Sequence, residues 1–423
     1  MYGTVRFDPI NGQGASMTTS IQSLDAPLAL RMPDTKGLPE TADSATHVTV
    51  IRTFARALEG MQKEAIVLRG GGQPAWRLIC DEGQYLHGTD LAPPPLAFFS
   101  AGMASIFTAA ISRELNRSGH SHTGLIVAQD AYYGMQGSAL RGTMTASADS
   151  VELRVRLPAD VPTGDYPDRL ATAISGTPVE SLMQTSLADT FSIERNHKLI
   201  VTGDVNQSCS PRPGNPAPLF ERSESSRAET YRKDIVTKLA SAESVFDADH
   251  GVGAALKDQQ KRTLLIRSQV SLREDGLQQI RVRIHRPIGS VFQFLVDEGA
   301  DCNGGGQRAP DGLSYVSAGI AFCYMTQMGR YIQITKRAVE NYNVVQDTRF
   351  DLGRGTVLPV DTHVYLKTEE DEAICRKIVA MAEQTCFLHA ACRTSKTTNL
   401  CIETDASVNK VVADAAATKR VEG

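Results

Sequence analysis

The segment Trp76-Arg77-Leu78-Ile79-Cys80-Asp81-Glu82-Gly83, an apolar run closed by Asp-Glu-Gly, returns as Phe292-Gln293-Phe294-Leu295-Val296-Asp297-Glu298-Gly299, an offset of 216 from 76 to 292. Ser100-Ala101-Gly102-Met103-Ala104 returns as Ser317-Ala318-Gly319-Ile320-Ala321, and Val127-Ala128-Gln129-Asp130 as Val344-Val345-Gln346-Asp347, both at an offset of 217. Upstream, Val50-Ile51-Arg52-Thr53 returns as Leu265-Ile266-Arg267-Ser268 at 215. Four blocks in one order, separated by single-residue insertions, mark a tandem duplication, and a duplicated supersecondary unit must fold twice by the same rules. At 423 residues the chain gives each copy enough length to bury a core. We assign residues 46–203 to the first copy and 263–405 to the second, with 1–45 a polar arm, 204–262 a linker and 406–423 a tail. Asp204 to Pro218, rich in Pro, Gly, Ser and Asn, reads as exposed; Arg222 to Glu243 is charged with weak helical spacing.

Each copy has the same coarse pattern. Alternating apolar runs over 48–54, 64–69 and 76–81, and over 264–272, 278–285 and 290–296, predict a three-stranded antiparallel meander. Long apolar stretches without a clean polar face, 96–115 and 313–339, predict a helix buried on most sides. Further strands follow, including 343–350 and 363–367, and then an amphipathic helix over 371–382. The order β-β-β-α-β-β-α, with helices on one face of antiparallel sheets, predicts an α+β fold.

Composition narrows the functions. A net charge of -4 supplies no basic face for nucleic acid. No stretch approaches the roughly 18 consecutive apolar residues of a membrane span, and the N-terminus lacks a basic-then-apolar signal layout, so a cytoplasmic location is expected. Six of the eight cysteines (302, 323, 375, 386, 392 and 401) fall in the second half, in no spacing that suits zinc. Cys80, Cys375 and Cys401 read as small packing residues, and Cys392 likewise. His120 and His122 sit in a loop-like stretch without carboxylate or cysteine partners, and no metal or cofactor is expected.

Ser317-Ala318-Gly319-Ile320-Ala321-Phe322-Cys323-Tyr324-Met325-Thr326, together with Ala382-Glu383-Gln384-Thr385-Cys386-Phe387-Leu388-His389, resembles the OsmC and organic hydroperoxide resistance superfamily, over both halves but not the arm or linker. In that family one cysteine lies in the long central helix and a second near the end in a Cys-Pro-Val-like motif. The resemblance implies two fused OsmC-like domains forming an intramolecular pseudo-dimer, with central helices clasped by antiparallel sheets and the site between the halves. It also implies that Cys323 is the reactive cysteine and Cys386 the resolving one. The family's Pro-Glu-x-Leu appears as Pro310-Asp311-Gly312-Leu313, which gives Asp311 the place of the glutamate. Its early arginine is best matched by Arg273 in Leu272-Arg273-Glu274-Asp275-Gly276, with Arg267, Arg281 and Arg283 as competitors.

The chemistry asks for such a set. A thiol of ordinary pKa is only a few per cent thiolate at neutral pH, and the thiolate is the nucleophile. A guanidinium beside the sulfur favours ionisation, and a carboxylate holds the guanidinium. Attack on a peroxide then gives a sulfenic acid at Cys323, which Cys386 condenses to a disulfide. The first copy lacks the set, with Ile106, Pro178 and Pro94 opposite Cys323, Cys386 and Asp311, so one active site per chain is expected. His389, three residues after Cys386, either shares its surface or is a structural histidine.

The leading expectation is a thiol-dependent peroxidase acting on a small organic hydroperoxide, with a dithiol reductant as partner. Loss of one site together with a long arm and linker also fits a specialised hydrolase or lyase in which Cys323 attacks a small electrophile, or a non-catalytic binding module. Further self-association of the fused chain is compatible with each.

Overall fold

The computed structural model describes residues 19–32, 38, 48–70, 72–162, 164, 166–224, 234–242, 260–299 and 305–403, with backbone alone at 222–224 and 260–262. The first half runs α1 (Ile21–Leu24), β1 (Ala29–Arg31), β2 (Val48–Ala57), β3 (Lys63–Arg69), β4 (Trp76–Cys80), α2 (Pro95–Arg117), β5 (Ile126–Gly137), β6 (Thr145–Ala148), β7 (Val151–Arg156), α3 (Tyr166–Ser175), α4 (Pro178–Gln184), β8 (Thr190–Arg195) and β9 (Lys198–Ile200). The rest runs α5 (Ala217–Glu224), β10 (Val236–Ala240), β11 (Gln260–Leu272), β12 (Gln278–Arg286), β13 (Val291–Val296), α6 (Gly312–Ile334), β14 (Val339–Asp351), β15 (Thr356–Val357), β16 (Asp361–Thr368), α7 (Glu372–Thr385), α8 (Phe387–Arg393) and β17 (Thr398–Glu403). The architecture is mixed α+β with two sheets.

Each sheet draws on both halves. One has the order β1-β4-β3-β2-β14-β16-β8-β9, so the first half's meander continues into strands of the second half. The other has the order β10-β13-β12-β11-β5-β7-β17, the reciprocal arrangement. At the β2–β14 seam Arg52 lies opposite Asp347 and grips it through two hydrogen bonds of 2.7 Å. At the β11–β5 seam Arg267 lies opposite Asp130 and grips it at 2.6 and 2.7 Å. Arg52 and Arg267, like Asp130 and Asp347, hold matching places in the recurring sequence blocks, and the same bidentate device fixes the register of both seams. Burial opposes ionisation of Asp130, but Arg267 and Arg154 outweigh it and hold the carboxyl below its ordinary range.

The meanders are antiparallel as expected, but the last strands are not. β8 pairs with β16, and β17 with β7, in parallel. Each of these strands follows a helical pair and joins a strand of the opposite half, so no hairpin sets its direction. Parts of the arm and linker are also structured: β1 lines the edge of β4, and β10 that of β13. The charged stretch read as weakly helical is helix only as far as Glu224 and becomes strand at Val236–Ala240; 225–233 lie outside the described residues. The polar stretch 204–218 is largely exposed, as read, but it and the helix that follows are tied to the outer face of the first sheet. Arg212 pairs with Glu194 at 2.9 Å, Asn343 donates to Asn215 at 3.0 Å, and Phe220 is fully buried beneath the Arg56 guanidinium.

The two long helices, α2 and α6, pack antiparallel between the sheets. A Cβ built on Gly102 would meet the Gly312 carbonyl oxygen at 2.3 Å, and one on Gly319 would meet the Phe99 nitrogen at 2.7 Å. Gly102 and Gly319 are equivalents in the repeated Ser-Ala-Gly block, so each helix brings one gap into which the other fits. Gly102→Ala therefore lowers stability by about 1–3 kcal/mol, overcoming the ~1 kcal/mol that Ala gains over Gly in a helix. Denaturant unfolding of this variant measures the balance. The expectation that no stretch could cross a bilayer needs correction. α2 has the length and hydropathy for it, yet 94% of its most apolar window is buried inside this fold, where the sheets and α6 provide the apolar surroundings. α6 ends earlier than its apolar pattern suggested, since Lys336 adopts a left-handed φ of 53° and the chain enters β14.

Candidate active site

Cys323 lies mid-way along α6 and is 2% exposed. Thr326 and Gln327 share its helix face at i+3 and i+4. Cys386 occupies the break between α7 and α8, with extended backbone at φ -77° and ψ 121°. It caps α8 by accepting from the His389 amide at 3.5 Å, and the His389 Nδ1 lies 3.3 Å from its sulfur. The bend turns its thiol onto that of Cys323. Burial first, and then this contact, push the Cys386 thiol well above its ordinary pKa. Burial, aided by the Arg393 charge, pushes His389 down to about 3, so its imidazole is neutral. That ring packs against Tyr324 and Phe191, at 5.2 and 5.6 Å between centroids.

A small pocket opens beside Cys323, offering about 10 Å³ to the centre of a water-sized molecule, close to the room one water needs. Gln327, Leu264 and Phe387 line it from the second half. The remaining wall comes from the first half: Glu82, Tyr85 and Leu86 after β4, and Pro94, Pro95 and Leu96 at the start of α2. Antiparallel helix packing explains this. With Gly102 against Gly312 and Phe99 against Gly319, the opening turn of α2 falls beside Cys323. Glu82 is buried; its Oε1 accepts from Thr326 Oγ1 at 2.8 Å and its Oε2 from the Tyr85 hydroxyl at 3.3 Å. Burial raises its pKa against the opposing pull of the Lys63 ammonium.

Of the residues singled out in the sequence, Cys323 and Cys386 come together, whereas Asp311 and Arg273 lie elsewhere. Asp311 caps α6, accepting from the Ser314 amide at 2.7 Å, and forms a close buried ion pair with Arg69 of the first half. Twelve residues of helix separate it from Cys323, about 18 Å at 1.5 Å per residue. It does hold a guanidinium, but at the far end of the helix. Arg273 sits at the β11–β12 turn, where it pairs with Asp275 at 3.0 Å. Leu264, at the pocket, precedes it by nine residues of mostly extended strand, roughly 30 Å. Among its competitors, Arg267 is held by Asp130, and Arg281 and Arg283 are exposed. The motif match failed because it identified a loop by composition, while the position of that loop relative to the thiol depends on helix packing.

Glu82, Tyr85 and Gln327 were missed. The available signal was the repeated Asp-Glu-Gly turn, whose second copy has Glu298 in the place of Glu82. That carboxyl accepts from Ser105 Oγ, next to Ile106 on α2 of the first half, and from the Gly312 amide at the start of α6. Burial, and then the nearby Asp311 charge, push Glu298 up to about 7. Its folded pKa thus lies above its unfolded value near 4.3. The stabilisation is complete below that value and is lost as pH rises through about 7. Between about pH 5 and pH 8 this group costs the fold up to about 3 kcal/mol. Glu298→Gln, which keeps both acceptor contacts, flattens that part of the stability profile in urea titrations.

Cys392 is buried nearby, and burial pushes its thiol well up; Cys401 is exposed, contrary to its reading as packing, and Cys302 lies outside the described residues. His122 contacts Asn116 at 3.1 Å and the His120 ring packs on Tyr166. Among the described residues, no group of three or more His, Cys, Asp or Glu is arranged to hold a metal ion.

Comparison with known proteins adds a family for part of the chain. Residues 304–400, which include both Cys323 and Cys386, match the model of the family described as OsmC-like protein. The chain is also similar to a solved structure, the crystal structure of an OsmC-like hydroperoxide resistance protein from Jannaschia sp. CCS1. The two share 20% identity over 30% of this chain and 83% of that one, with a TM-score of 0.18. No curated protein matches the chain.

Proposed function

We propose that this chain is a thiol-dependent peroxidase that reduces organic hydroperoxides, with Cys323 attacking and Cys386 resolving. The observation that carries the reading is the contact between the two thiols, inside the segment that matches an OsmC-like protein and beside a pocket. The Cys323 thiolate attacks the distal peroxide oxygen. The O–O bond breaks, the sulfur keeps the hydroxyl as a sulfenic acid, and the alkoxide leaves as an alcohol on taking a proton. Cys386 then attacks the sulfenic sulfur, forming a disulfide and releasing water. An external dithiol returns both cysteines to thiols. Pro94, Pro95, Leu96, Leu264 and Phe387 suit an apolar substituent on the peroxide. The pocket is small, so such a substrate must displace part of this wall.

In this reading the two halves are fused OsmC-like domains that form a dimer-like unit within one chain, and the reciprocal strand exchange supports it. The linker makes their association intramolecular. The first half provides pocket wall and carries Ile106 and Pro178 where the second half has Cys323 and Cys386, leaving one reactive centre per chain. Buried free thiols suit work in a reducing compartment such as the cytoplasm.

Treatment with one equivalent of cumene hydroperoxide, followed by intact-mass analysis and peptide mapping, tests the reading. The expected product has lost two hydrogens and joins the Cys323 and Cys386 peptides. Both cysteines recovered as free thiols, with the peroxide unconsumed, would overturn it.

A further inference from the structure

We infer that Glu82, supplied by the first half, is the acid–base residue for the second half's thiol, taking the Cys323 proton and returning it to the leaving alkoxide. The inference rests on the peroxidase reading and deepens it. No guanidinium lines the Cys323 pocket among the described residues, and Glu82 is the carboxyl that does. Its hydrogen bond from Thr326, one turn beyond Cys323 on the same face of α6, aims it at that face. The turn that carries it is rigid. Asp81 accepts from the amides of Glu82, Thr89 and Leu91 at 2.8, 3.0 and 3.0 Å, which fixes the backbone from which the Glu82 side chain projects.

The groups facing Glu82 suit the role. Lys63, buried on β3, supplies a compensating positive charge, while Asp81 and Tyr85 from its own turn and Cys80 from β4 complete the titratable surroundings along with Cys323. Burial raises its pKa from the carboxylate range, the direction an acid–base residue working near neutrality requires.

The proton inventory closes. Glu82 as carboxylate takes the proton of the Cys323 thiol, and the thiolate attacks the distal oxygen of the hydroperoxide. The alkoxide leaves and takes the proton from Glu82, which returns to carboxylate. The sulfenic acid at Cys323 then condenses with the Cys386 thiol, releasing water, and the net change is two thiols and a hydroperoxide converted to a disulfide, an alcohol and water.

Glu298 is an internal control, since it stands at the matching place in the repeated Asp-Glu-Gly block, is also buried, and faces Ser105 rather than a thiol. The experiment compares wild type, Glu82→Gln, Glu82→Asp and Glu298→Gln by stopped-flow oxidation with cumene hydroperoxide and, separately, by iodoacetamide alkylation of Cys323 over about pH 5 to 9. Circular dichroism and thermal melting confirm folding, and glutamine preserves the acceptor for Thr326. Glu82→Gln is expected to slow both reactions about 100-fold and to remove the limb along which the rate rises as the carboxyl ionises. Glu82→Asp restores part of the rate, and Glu298→Gln changes neither reaction. Wild-type rates and an unchanged pH profile in Glu82→Gln overturn the inference, as does equal slowing by Glu298→Gln. A wild type that resists hydroperoxide but whose alkylation depends on Glu82 overturns the peroxidase reading and leaves the base role standing.

Discussion

Replacing Cys323 with serine is expected to abolish hydroperoxide consumption, whereas replacing Cys386 with serine allows one equivalent per chain to be consumed rapidly, with only slower over-oxidation of Cys323 after it and no turnover with a dithiol reductant. Serine's hydroxyl is far less acidic than a thiol and is a poor nucleophile towards peroxide oxygen, so the first step fails outright. With Cys386→Ser the first step proceeds, but no thiol attacks the sulfenic acid. That species accumulates at Cys323, where dimedone labels it, and excess peroxide carries it to the sulfinic acid. Cys392→Ser serves as the control. It retains a disulfide between Cys323 and Cys386 if Cys392 only packs, and its loss of that disulfide would assign Cys392 a part in resolution. Quantifying peroxide remaining after stoichiometric and tenfold additions separates the three variants.

Asp311→Ala is expected to cost about 3 kcal/mol or more in urea unfolding. It removes the cap on the Ser314 amide, worth about 1 kcal/mol, and takes from buried Arg69 the carboxylate against which it lies. Because that pair joins β3 of the first half to the start of α6 in the second, its loss loosens the association of the halves. The same variant separates two accounts of the thiol. If the carboxylate–guanidinium pair of the OsmC-like pattern tunes Cys323, oxidation of the folded variant slows severely. If its distance of about 18 Å decides the matter, the rate per folded molecule stays within about twofold, well below the temperature at which the variant melts.

The sequence was legible where structure is local. The meander strands followed from their alternation and the long buried helices from their lack of a polar face. The cysteine pair followed from its motif positions. What escaped depends on contacts between distant segments. Nothing in Val48–Ala57 indicates that its neighbour is Val339–Asp351, because one apolar strand edge accepts another of either half. β1 and β10 are short edge strands stabilised by β4 and β13, and their own residues read as loop. Glu82 was visible as part of a repeated turn, but its place beside Cys323 follows from antiparallel packing at Gly102 and Gly319. Arg273 shows the converse, a composition match at an exposed turn with no route to the thiol.

The exchange of strands also sets an order for folding during synthesis. The seam between β5 and β11 can close once residues about 140 positions apart have both emerged, as the 137-residue separation of Asp130 and Arg267 shows. The seam between β2 and β14 must wait for partners 295 residues apart, the separation of Arg52 and Asp347. Throughout that interval the first meander has an open edge, and contacts of such long range make for slow folding. Arg52 on that edge disfavours premature pairing with another apolar strand and then meets Asp347 when the correct one arrives. The residue that secures the finished seam is thus also the one that guards it on the nascent chain.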